Sequence, residues 1–191
     1  MGEAAISLRL NVADYLELER SADVRHEYHR GELFAMAGGT RNHSMLGGNI
    51  VTEFNLLARR SGCTSFNGDL RIRIEAEDCF LYPEASLVCG PEHYSPLDPN
   101  ALVNPVLIAE VLSDSTEAYD RGEKFRLYRT LSSLRDYVLI SQKQPLVEVF
   151  SRDESGLWQF RAYEGLETTI SLPSMGAEIA MRDLYRGVVW G

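Results

Sequence analysis

The first sixty residues alternate between helical and extended patterns of apolar positions. Leu8 to Glu19 has apolar residues at helical spacing and predicts a short helix. Arg25 to Met36 predicts a β-hairpin that turns at Arg30-Gly31, because glycine accepts the positive φ that tight turns require. A long helix is expected from Asn42, whose side chain can cap it, to about Arg60. Its apolar stripe consists of Met45, Leu46, Ile50, Phe54 and Leu57.

The remainder of the chain is predicted to be rich in strands. These strands are Cys63–Phe66, Leu70–Ile74, Phe80–Cys89, 105–112, Tyr137–Ile140 and Val147–Ser151. Gly122 precedes a helix expected from Glu123 to Leu134, and the tail after Trp158 should add further strands and a short terminal helix. We therefore predict one mixed α/β (α+β) domain over residues 1–191, with a mixed β-sheet flanked by helices and an N-terminal helix and β-hairpin.

Composition sets limits on partners and location. A chain of 191 residues with 45% hydrophobic and 25% charged residues has the ordinary composition of one globular domain. The net charge of −9 counts against a nucleic-acid partner because acidic surfaces repel phosphate, although the net value would not reveal a local basic patch. No window reaches the roughly 18 consecutive apolar residues of a membrane span. Because Met1–Ser7 also lacks the features of a signal peptide, we expect a cytoplasmic protein without a membrane partner.

The three cysteines, Cys63, Cys79 and Cys89, are odd in number and widely spaced. This pattern does not indicate a disulfide framework, and no C-x-x-C pair indicates a zinc site. Cys89 and His93 are four residues apart, but two ligands make a weak metal site. We expect all three cysteines to be small buried thiols.

Glu110 interrupts the run from Pro105 to Ser113, which otherwise has the pattern of a central strand buried on both faces. An ionised carboxylate in such a strand costs several kcal/mol of desolvation unless a cation, a metal or hydrogen bonds compensate it. A structural ion pair, or a strand that ends before Glu110, would explain the residue as well as a functional role does. Other charged residues in comparable settings must decide between these interpretations.

Glu84 and Lys124 are a second carboxylate and a lysine in such settings. Glu84 follows Pro83 at the start of an apolar strand, where a solvated residue at a strand edge is the alternative to a functional role. Lys124 lies on the apolar face of its predicted helix, because Leu127 and Tyr128, three and four positions away, are apolar. Its ammonium group either points toward the sheet or extends back to water.

Two carboxylates and one lysine are together the equipment of metal-dependent phosphodiester hydrolysis. Converging carboxylates bind Mg²⁺ or Mn²⁺, which prefer oxygen ligands. Such a metal lowers the pKa of a bound water and stabilises charge on a phosphoryl oxygen. A nearby ammonium group orients the attacking water or neutralises the developing charge. Glu84, Glu110 and Lys124 are therefore the candidate catalytic residues.

Several short blocks of this sequence, by their order and spacing, resemble the Uma-two (Uma2) family of restriction endonucleases within the PD-(D/E)XK nuclease superfamily. The resemblance covers nearly the whole chain and depends on the set of blocks, since any single block is weak. The matching blocks are Arg30–Gly39, Asn42-His43, Gly68–Ile72, Tyr82–Glu84, Ala109–Ser113 and Asp120–Phe125.

The resemblance implies a restriction-endonuclease-like core that cleaves DNA with Mg²⁺ or Mn²⁺. It implies that Glu84 and Glu110 are the metal ligands. Because Leu112 stands where the plain motif has lysine, Lys124 on the following helix would be the catalytic lysine. The chain departs from the family at Glu84, where the family has Asp. The extra methylene moves the carboxylate by about 1.5 Å, a misplacement that can cost about 100-fold in rate, so a weakened enzyme is one expected outcome.

Residues in the other matching blocks are candidates for an outer part of the site. Glu32 would also fit a solvent-facing hairpin position, His43 a hydrogen bond at a helix start, and Asp69 a turn. Five arginines are candidates for contacts to the DNA backbone, with a purely solvated role as the alternative. These arginines are Arg71, Arg73, Arg121, Arg126 and Arg129.

Our leading hypothesis is a Mg²⁺-dependent DNA endonuclease, expected to be a homodimer because nucleases of this superfamily often pair two active sites. The alternative is a nuclease-fold protein without catalysis that binds DNA or acts as a regulatory module, which the acidic charge and Glu84 favour. A two-carboxylate hydrolase acting on a sugar is permitted by the residue types, but it does not explain Lys124.

Overall fold

The computed structural model describes residues 9–36 and 38–190, and the predictions made for Met1–Ser7 and Leu8 lie outside them. None of the described helices has the length and apolar character of a membrane span. The helices are α1 (Val12–Ser21), α2 (Arg41–Ser61), α3 (Glu117–Tyr119), α4 (Phe125–Tyr128) and α5 (Met181–Leu184), with a π-helical turn, Asp120–Lys124, between α3 and α4. The strands are β1 (His26–His29), β2 (Glu32–Ala35), β3 (Cys63–Asn67), β4 (Arg71–Ile74), β5 (Cys79–Leu81), β6 (Ala85–Cys89), β7 (Tyr94–Ser95), β8 (Asp98–Leu102), β9 (Leu107–Leu112), β10 (Asp136–Ser141), β11 (Leu146–Arg152), β12 (Trp158–Glu164), β13 (Thr169–Leu172) and β14 (Ala177–Ala180).

The described strands form two six-stranded sheets and one small ladder. The central sheet has the order β12-β11-β10-β9-β6-β3 and is mixed, since β9 and β10 run parallel while their other neighbours are antiparallel. The second sheet has the order β2-β1-β5-β4-β8-β7, and β13 pairs with β14. This mixture of sheets with flanking helices confirms the predicted fold class.

The central strand β9 is covered on both faces. Ala109 and Val111 belong to the apolar cluster that includes α2. Ile108 and Leu112 point the other way, into the cluster that includes α4. Successive residues of a strand alternate between faces, so Glu110 lies between Ile108 and Leu112 on the α4 side. The apolar run around Glu110 therefore has the doubly buried position that its pattern predicts.

The N-terminal elements follow the predicted order, but α1 begins at Val12, after its cap Asn11, and not at Leu8, and the cap of α2 also differs. The hairpin β1–β2 turns at Arg30-Gly31, both of which have positive φ. The expected cap of α2, Asn42, lies inside the first turn and donates from its side chain to the carbonyl of Val189 at 2.8 Å. Thr40 is the cap instead, because its hydroxyl accepts from the amide of His43 at 3.1 Å.

The predicted strand Phe80–Cys89 is wrong, because the chain leaves one sheet and enters the other within it. Its first part is β5 of the second sheet and its last part is β6 of the central sheet. The break falls at Tyr82-Pro83-Glu84, where proline has no amide hydrogen to donate to a ladder. Glu84 consequently lies at the junction between the two sheets.

The predicted helix Glu123–Leu134 has the wrong boundaries. The helical segment begins at Glu117, six residues earlier, and α4 ends at Tyr128. Gly122 lies inside the π-helical turn, and the amide of Glu117 donates to the carbonyl of Ser113 at 2.8 Å as the segment starts. The buried face predicted from the helical spacing is confirmed nevertheless, since Lys124, Leu127 and Tyr128 are all buried.

The expectation of three free thiols is wrong for two of the cysteines. The antiparallel β3–β6 ladder puts Cys63 directly opposite Cys89, and the two form a disulfide with a Cα–Cα distance of 4.2 Å. Their separation of 26 residues gives no sign of this register in the sequence. Cys79 is free and buried, as predicted. Disulfides are rare in the reducing cytoplasm, so this bond does not support the predicted cytoplasmic location, which stays a prediction.

Candidate active site

Lys124 is the centre of a buried cluster of charged side chains. Its Nζ lies 2.9 Å from Oε1 of Glu110 on β9 and 3.0 Å from Oε1 of Glu27 on β1. Asp120, one turn earlier in the π-helical turn, has its Oδ1 at 3.8 Å from the same Nζ. All four residues are buried. Two sheets and one helical segment thus meet at a single ammonium group.

Hydrogen bonds fix the cluster in place. The hydroxyl of Tyr128 donates to Oε1 of Glu110 at 3.2 Å, and the amide of Tyr82 donates to Oε1 of Glu27 at 3.1 Å. Lys124 also donates to the carbonyl of Tyr82 at 3.4 Å. Every proton of an ammonium group needs an acceptor when water is excluded, and these oxygens supply them. Lys124 is therefore held at one position.

The cluster contains three carboxyl groups and one ammonium group, so negative charge is in excess. Burial raises the pKa of Glu110 well above its ordinary value, and Asp120 and Glu27 raise it further against the opposing effect of Lys124. Burial by itself would lower the pKa of Lys124, but Glu110 and Glu27 raise it well above its ordinary value. Burial also raises the pKa of Asp120. The cluster retains protons and would be stabilised by additional positive charge.

Glu84 lies one residue before β6, whose Ala85 pairs with Ala109, the neighbour of Glu110 in β9. The contacts of Glu84 are with α2, whereas Glu110 lies on the α4 side of β9. Oε1 of Glu84 lies 3.2 Å from Nε2 of His43 in the first turn of α2. The Glu84 side chain is 27% exposed, whereas that of Glu110 is 5% exposed. One carboxylate is therefore accessible from solvent and the other is enclosed.

A cleft of about 330 Å³ opens at Glu84. A Cβ atom on Gly47 would lie 3.0 Å from Oε2 of Glu84, and one on Gly68 would lie 3.1 Å from the carbonyl of Pro83. Glycine at position 47 thus leaves room for the carboxylate of Glu84, and glycine at position 68 leaves room for the backbone at Pro83-Glu84. The residues that line the cleft are Ser44, Gly47, Gly48, Val51, Asn67, Gly68 and Glu84.

Glu84 and Glu110 fit a divalent cation in their chemistry. Both supply carboxylate oxygens, which Mg²⁺ and Mn²⁺ prefer, and the excess negative charge of the Lys124 cluster suits a cation. Within residues 9–36 and 38–190, no three His, Cys, Asp or Glu side chains are already arranged as a metal-binding group. Both carboxylates have other partners, His43 for Glu84 and Lys124 for Glu110.

The three outer candidates have different surroundings. His43 meets Glu84 and lies at the cleft. Asp69 is exposed, forms an ion pair with Arg25, and accepts from the side chain of Asn67 at 3.0 Å in the turn after β3. Glu32 is exposed beside the hairpin turn, opposite His29. His43 therefore lies at the candidate site. Asp69 lies in a turn and Glu32 at a solvent-facing hairpin position, as their alternative interpretations predict.

The arginines predicted to contact DNA all have partners within the chain. Arg71 and Arg73 are largely buried and pair with Asp98 and Asp78, at 2.8 and 2.9 Å. Arg73 also lies over the ring of Phe80. These two would reach a phosphate only by breaking the internal pairs.

Arg121, Arg126 and Arg129 are closer to solvent. Arg121 pairs with Glu117 and Glu148, and Arg126 with Glu77 and Glu123, in each case at a partly exposed position. Arg129 is exposed beside the ring of Phe125. Whether these arginines contact DNA stays a prediction.

Sequence reasoning missed Glu27 and Asp120 as members of the cluster. The spacing of four residues between Asp120 and Lys124 on a helical segment was a signal for the second, since such residues are neighbours. Glu27 gave no comparable signal, because a charged residue in a hairpin strand usually faces solvent. It reaches Lys124 through the pairing of β1 with β5, in which Tyr28 lies opposite Phe80.

A family model and two sequence relatives match most of this chain. A family model described as "Uma2: Putative restriction endonuclease" matches residues 12–182. The Synechocystis sp. (strain ATCC 27184 / PCC 6803 / Kazusa) protein slr1290 is 34% identical over 182 residues, which are 95% of this chain and 94% of that protein. A second protein of the same organism, sll1609, is 30% identical over 166 residues, which are 87% of this chain and 94% of that protein.

A solved structure shares the fold. The crystal structure of "a putative nuclease belonging to DUF820 from Anabaena variabilis ATCC 29413" superposes with a TM-score of 0.76 at 15% sequence identity, covering 94% of this chain and 99% of that one. At this identity the similarity shows the fold, which is nuclease-like. With the family match across most of its length and two relatives at 30% identity or more, this chain belongs to the Uma2 family.

Proposed function

We propose that this protein is a DNA endonuclease that hydrolyses phosphodiester bonds with Mg²⁺ or Mn²⁺. The observation that carries the proposal is the buried ammonium group of Lys124, which Glu110, Glu27 and Asp120 surround, with Glu84 at a cleft one residue before the strand that pairs with β9. A structural ion pair would need one carboxylate, whereas this arrangement has three around the lysine.

The residues of the chain have distinct roles in this proposal. Glu84 and Glu110 would hold the divalent cation, which supplies a water of lowered pKa and charge stabilisation at the phosphoryl oxygen. Lys124 exchanges one of its present acceptors for the attacking water and neutralises negative charge that develops on the phosphate. Glu27 and Asp120 keep Lys124 protonated and at its position. Burial excludes bulk water from this side, which strengthens the interaction of Lys124 with charges that lie close to it.

Glu84 occupies the position at which the family has Asp, and its surroundings support a functional carboxylate there. Gly47 leaves space for the longer side chain, and His43 lies 3.2 Å from one of its oxygens.

DNA is the proposed substrate, and the cleft beside Glu84 is its proposed entrance. Two of the glycines that line the cleft, Gly47 and Gly48, lie near the start of α2, where the absence of side chains lets a backbone approach closely. The chain carries a net charge of −9, so binding depends on the cation and on local basic groups such as Arg121 and Arg126. A homodimer in the cytoplasm, with one site for each strand, completes the proposal.

A second candidate is a nuclease-fold protein that binds DNA or regulates a partner without catalysis. The observation that favours it is the ion pairing of Glu84 with His43 and of Glu110 with Lys124, which satisfies both carboxylates without a metal. Under this candidate the chain would bind DNA equally well with and without divalent cations.

The test is cleavage of supercoiled and single-stranded DNA with Mg²⁺ or Mn²⁺ by the natural chain, Lys124→Ala and Glu84→Asp, with exposed Lys143→Ala as the matched control. We expect cleavage by the natural chain and by Lys143→Ala, and none by Lys124→Ala. Activity that appears only in Glu84→Asp would mean that the longer side chain has disabled this copy. No cleavage by any folded variant would favour the second candidate.

A further inference from the structure

The strand β12 forms an open edge of the central sheet. It pairs with β11 on one side and, among the described residues, with no strand on the other. It has seven residues, most of them exposed. An open edge presents unpaired amide and carbonyl groups, and proteins usually protect such edges with charges, prolines or short strands. β12 has no proline and only one charge, Arg161, before its last residue.

Apolar surface accompanies this open edge. Phe160, in the middle of β12, is 54% exposed, and Leu157 just before the strand is 68% exposed. The ring of Phe160 contacts that of Phe150, with centroids 5.1 Å apart, and Trp158 contacts Phe125 on the same face. A row of aromatic rings therefore runs from the core to the edge of the sheet and ends in solvent, a feature that marks interaction sites.

We propose that β12 pairs antiparallel with β12 of a second copy of this chain, with Phe160 on the two-fold axis. The proposal rests on the homodimer in the proposed function and names its surface. An axis through Phe160 puts the two Phe160 rings opposite each other, a favourable cross-strand pair. It also places Gln159 opposite Arg161 and Trp158 opposite Ala162 of the partner, so no like charges meet.

Registers with the axis at Arg161 or Ala162 are less favourable than the register with the axis at Phe160. A two-fold axis perpendicular to the sheet keeps each face of the sheet continuous, so the axis must pass through a residue of β12. An axis through Arg161 would put two guanidinium groups opposite each other, which is destabilising. An axis through Ala162 would put Phe160 opposite the carboxylate of Glu164. Of the axes through Phe160, Arg161 and Ala162, the pattern of β12 favours the one at Phe160.

Charge complementarity supports the same register. Gln159 donates from its side chain to Oδ2 of Asp153 at 3.2 Å, which holds that carboxylate beside Gln159. In the proposed pair, Arg161 of one copy faces Gln159 of the other. Its guanidinium group therefore approaches an Asp153 carboxylate, and the two-fold axis produces this ion pair twice. A bound DNA strand at this edge would instead be repelled by Asp153.

The dimer would join two six-stranded sheets into one continuous sheet. Because the axis is perpendicular to the sheet, the two Lys124 clusters would lie on the same face of it. Residues Glu110, Leu139, Glu148 and Ala162 form one row across the four strands from β9 to β12, on the face that also carries Phe160. Two sites on one face can act on a single duplex.

The register can be tested by site-specific cross-linking. Phe160→Cys puts a thiol on the axis, opposite its own copy, as Cys63 lies opposite Cys89 within the chain. We expect mild oxidation to convert it into a covalent dimer on a non-reducing gel. Ala162→Cys is the matched control, because its two thiols would be about 13 Å apart and would stay unlinked. Equal cross-linking of both variants, or of neither, would overturn the register.

The oligomeric state tests the surface itself. We expect the natural chain to sediment as a dimer at micromolar concentration, Phe160→Glu as a monomer, and Leu56→Glu, on the exposed side of α2, as a dimer. If the natural chain and Phe160→Glu are both dimers, the homodimer is correct but β12 is not its interface. A natural chain that is monomeric would overturn both. Neither result depends on nuclease activity, so the proposed chemistry is tested separately.

Discussion

The two carboxylates of the candidate site lie in contrasting environments. Glu110 is enclosed, accepts from Lys124 and Tyr128, and shares the ammonium group of Lys124 with Glu27. Glu84 is partly exposed, faces a glycine-lined cleft and has His43 as its partner. One half of the site is therefore fixed by packing, and the other half can change partners without disturbing the core.

This difference separates two physical tasks. A buried ion cluster is costly to desolvate and strongly destabilising to break, so it keeps the lysine in one place whether or not a ligand is bound. A partly exposed carboxylate exchanges partners readily, because water competes for it at little cost. We call Glu110, Lys124, Glu27 and Asp120 the enclosed half of the site, and Glu84 and His43 the open half. We infer that the enclosed half is preorganised for charge stabilisation and that the open half admits the cation and the substrate.

The largest expected effect comes from breaking the enclosed half. Lys124→Met leaves Glu110, Glu27 and Asp120 buried without their common cation. We expect a loss of about 3–5 kcal/mol in the free energy of unfolding, measured with urea, together with loss of DNA cleavage. A variant that unfolds at the same urea concentration as the natural chain would show that the cluster is not enclosed as described.

Removing a charge from the open half should affect activity alone. Glu84→Gln removes a charge that water already reaches, so the free energy of unfolding should stay within about 0.5 kcal/mol of the natural value. Cleavage should nevertheless fall by about 100-fold or more, because the variant loses a proposed cation ligand. Equal stability losses in Glu84→Gln and Lys124→Met would remove the distinction between the two halves.

The pH dependence of stability sharpens the comparison. The folded-state pKa of Glu110 lies above its ordinary value, which is that of the unfolded chain. In the pH interval between these two pKa values, the folded protein holds a proton that the unfolded chain has released. Stability therefore falls as pH rises through that interval, and Glu110→Gln lacks this loss. We expect the free energy of unfolding of Glu110→Gln, relative to that of the natural chain, to rise between pH 5 and pH 8 without divalent cations. A difference that is the same at both pH values would contradict the raised pKa.

The smallest effect concerns Gly47 and Gly48, which line the cleft at Glu84. Gly47→Ala and Gly48→Ala both lie within α2, and each should gain about 0.5–1 kcal/mol of helix stability. Only the Cβ of Ala at 47 meets Oε2 of Glu84, at 3.0 Å, whereas one at 48 meets nothing within 4 Å. We expect the affinity for Mn²⁺ to fall by about 3- to 10-fold in the first variant and to stay unchanged in the second. Equal affinities in the two variants would show that Gly47 does not position Glu84.

The enclosed half was more visible in the sequence than the open half. Glu110 and Lys124 stand out because each is a charged residue at an apolar position of a regular pattern, and the same pattern predicted β9 and the buried face of α4. Glu27 and the disulfide depend on which strands pair, and the pattern along one strand does not contain that information. His43 was a candidate, but its contact with Glu84 depends on how α2 packs against the junction of the two sheets.

The errors in the predicted elements have a common origin. The break at Tyr82-Pro83-Glu84 was hidden because the residues on both sides of it are apolar, although the two sides belong to different sheets. The helix from Glu123 was displaced because Gly122 resembles a boundary, whereas a π-helical turn accommodates it. Tertiary packing overrode the local signal in both cases. The single domain over residues 1–191 stays a prediction.

Calorimetric titration of Mn²⁺ into the natural chain, Glu84→Gln and Glu110→Gln tests the central claim, that these two carboxylates hold one catalytic cation. We predict binding at one site in the natural chain and loss of that binding in both variants, with His43→Ala retaining it. Binding that is unchanged in either glutamine variant, or absent from the natural chain at millimolar Mn²⁺, would contradict the claim.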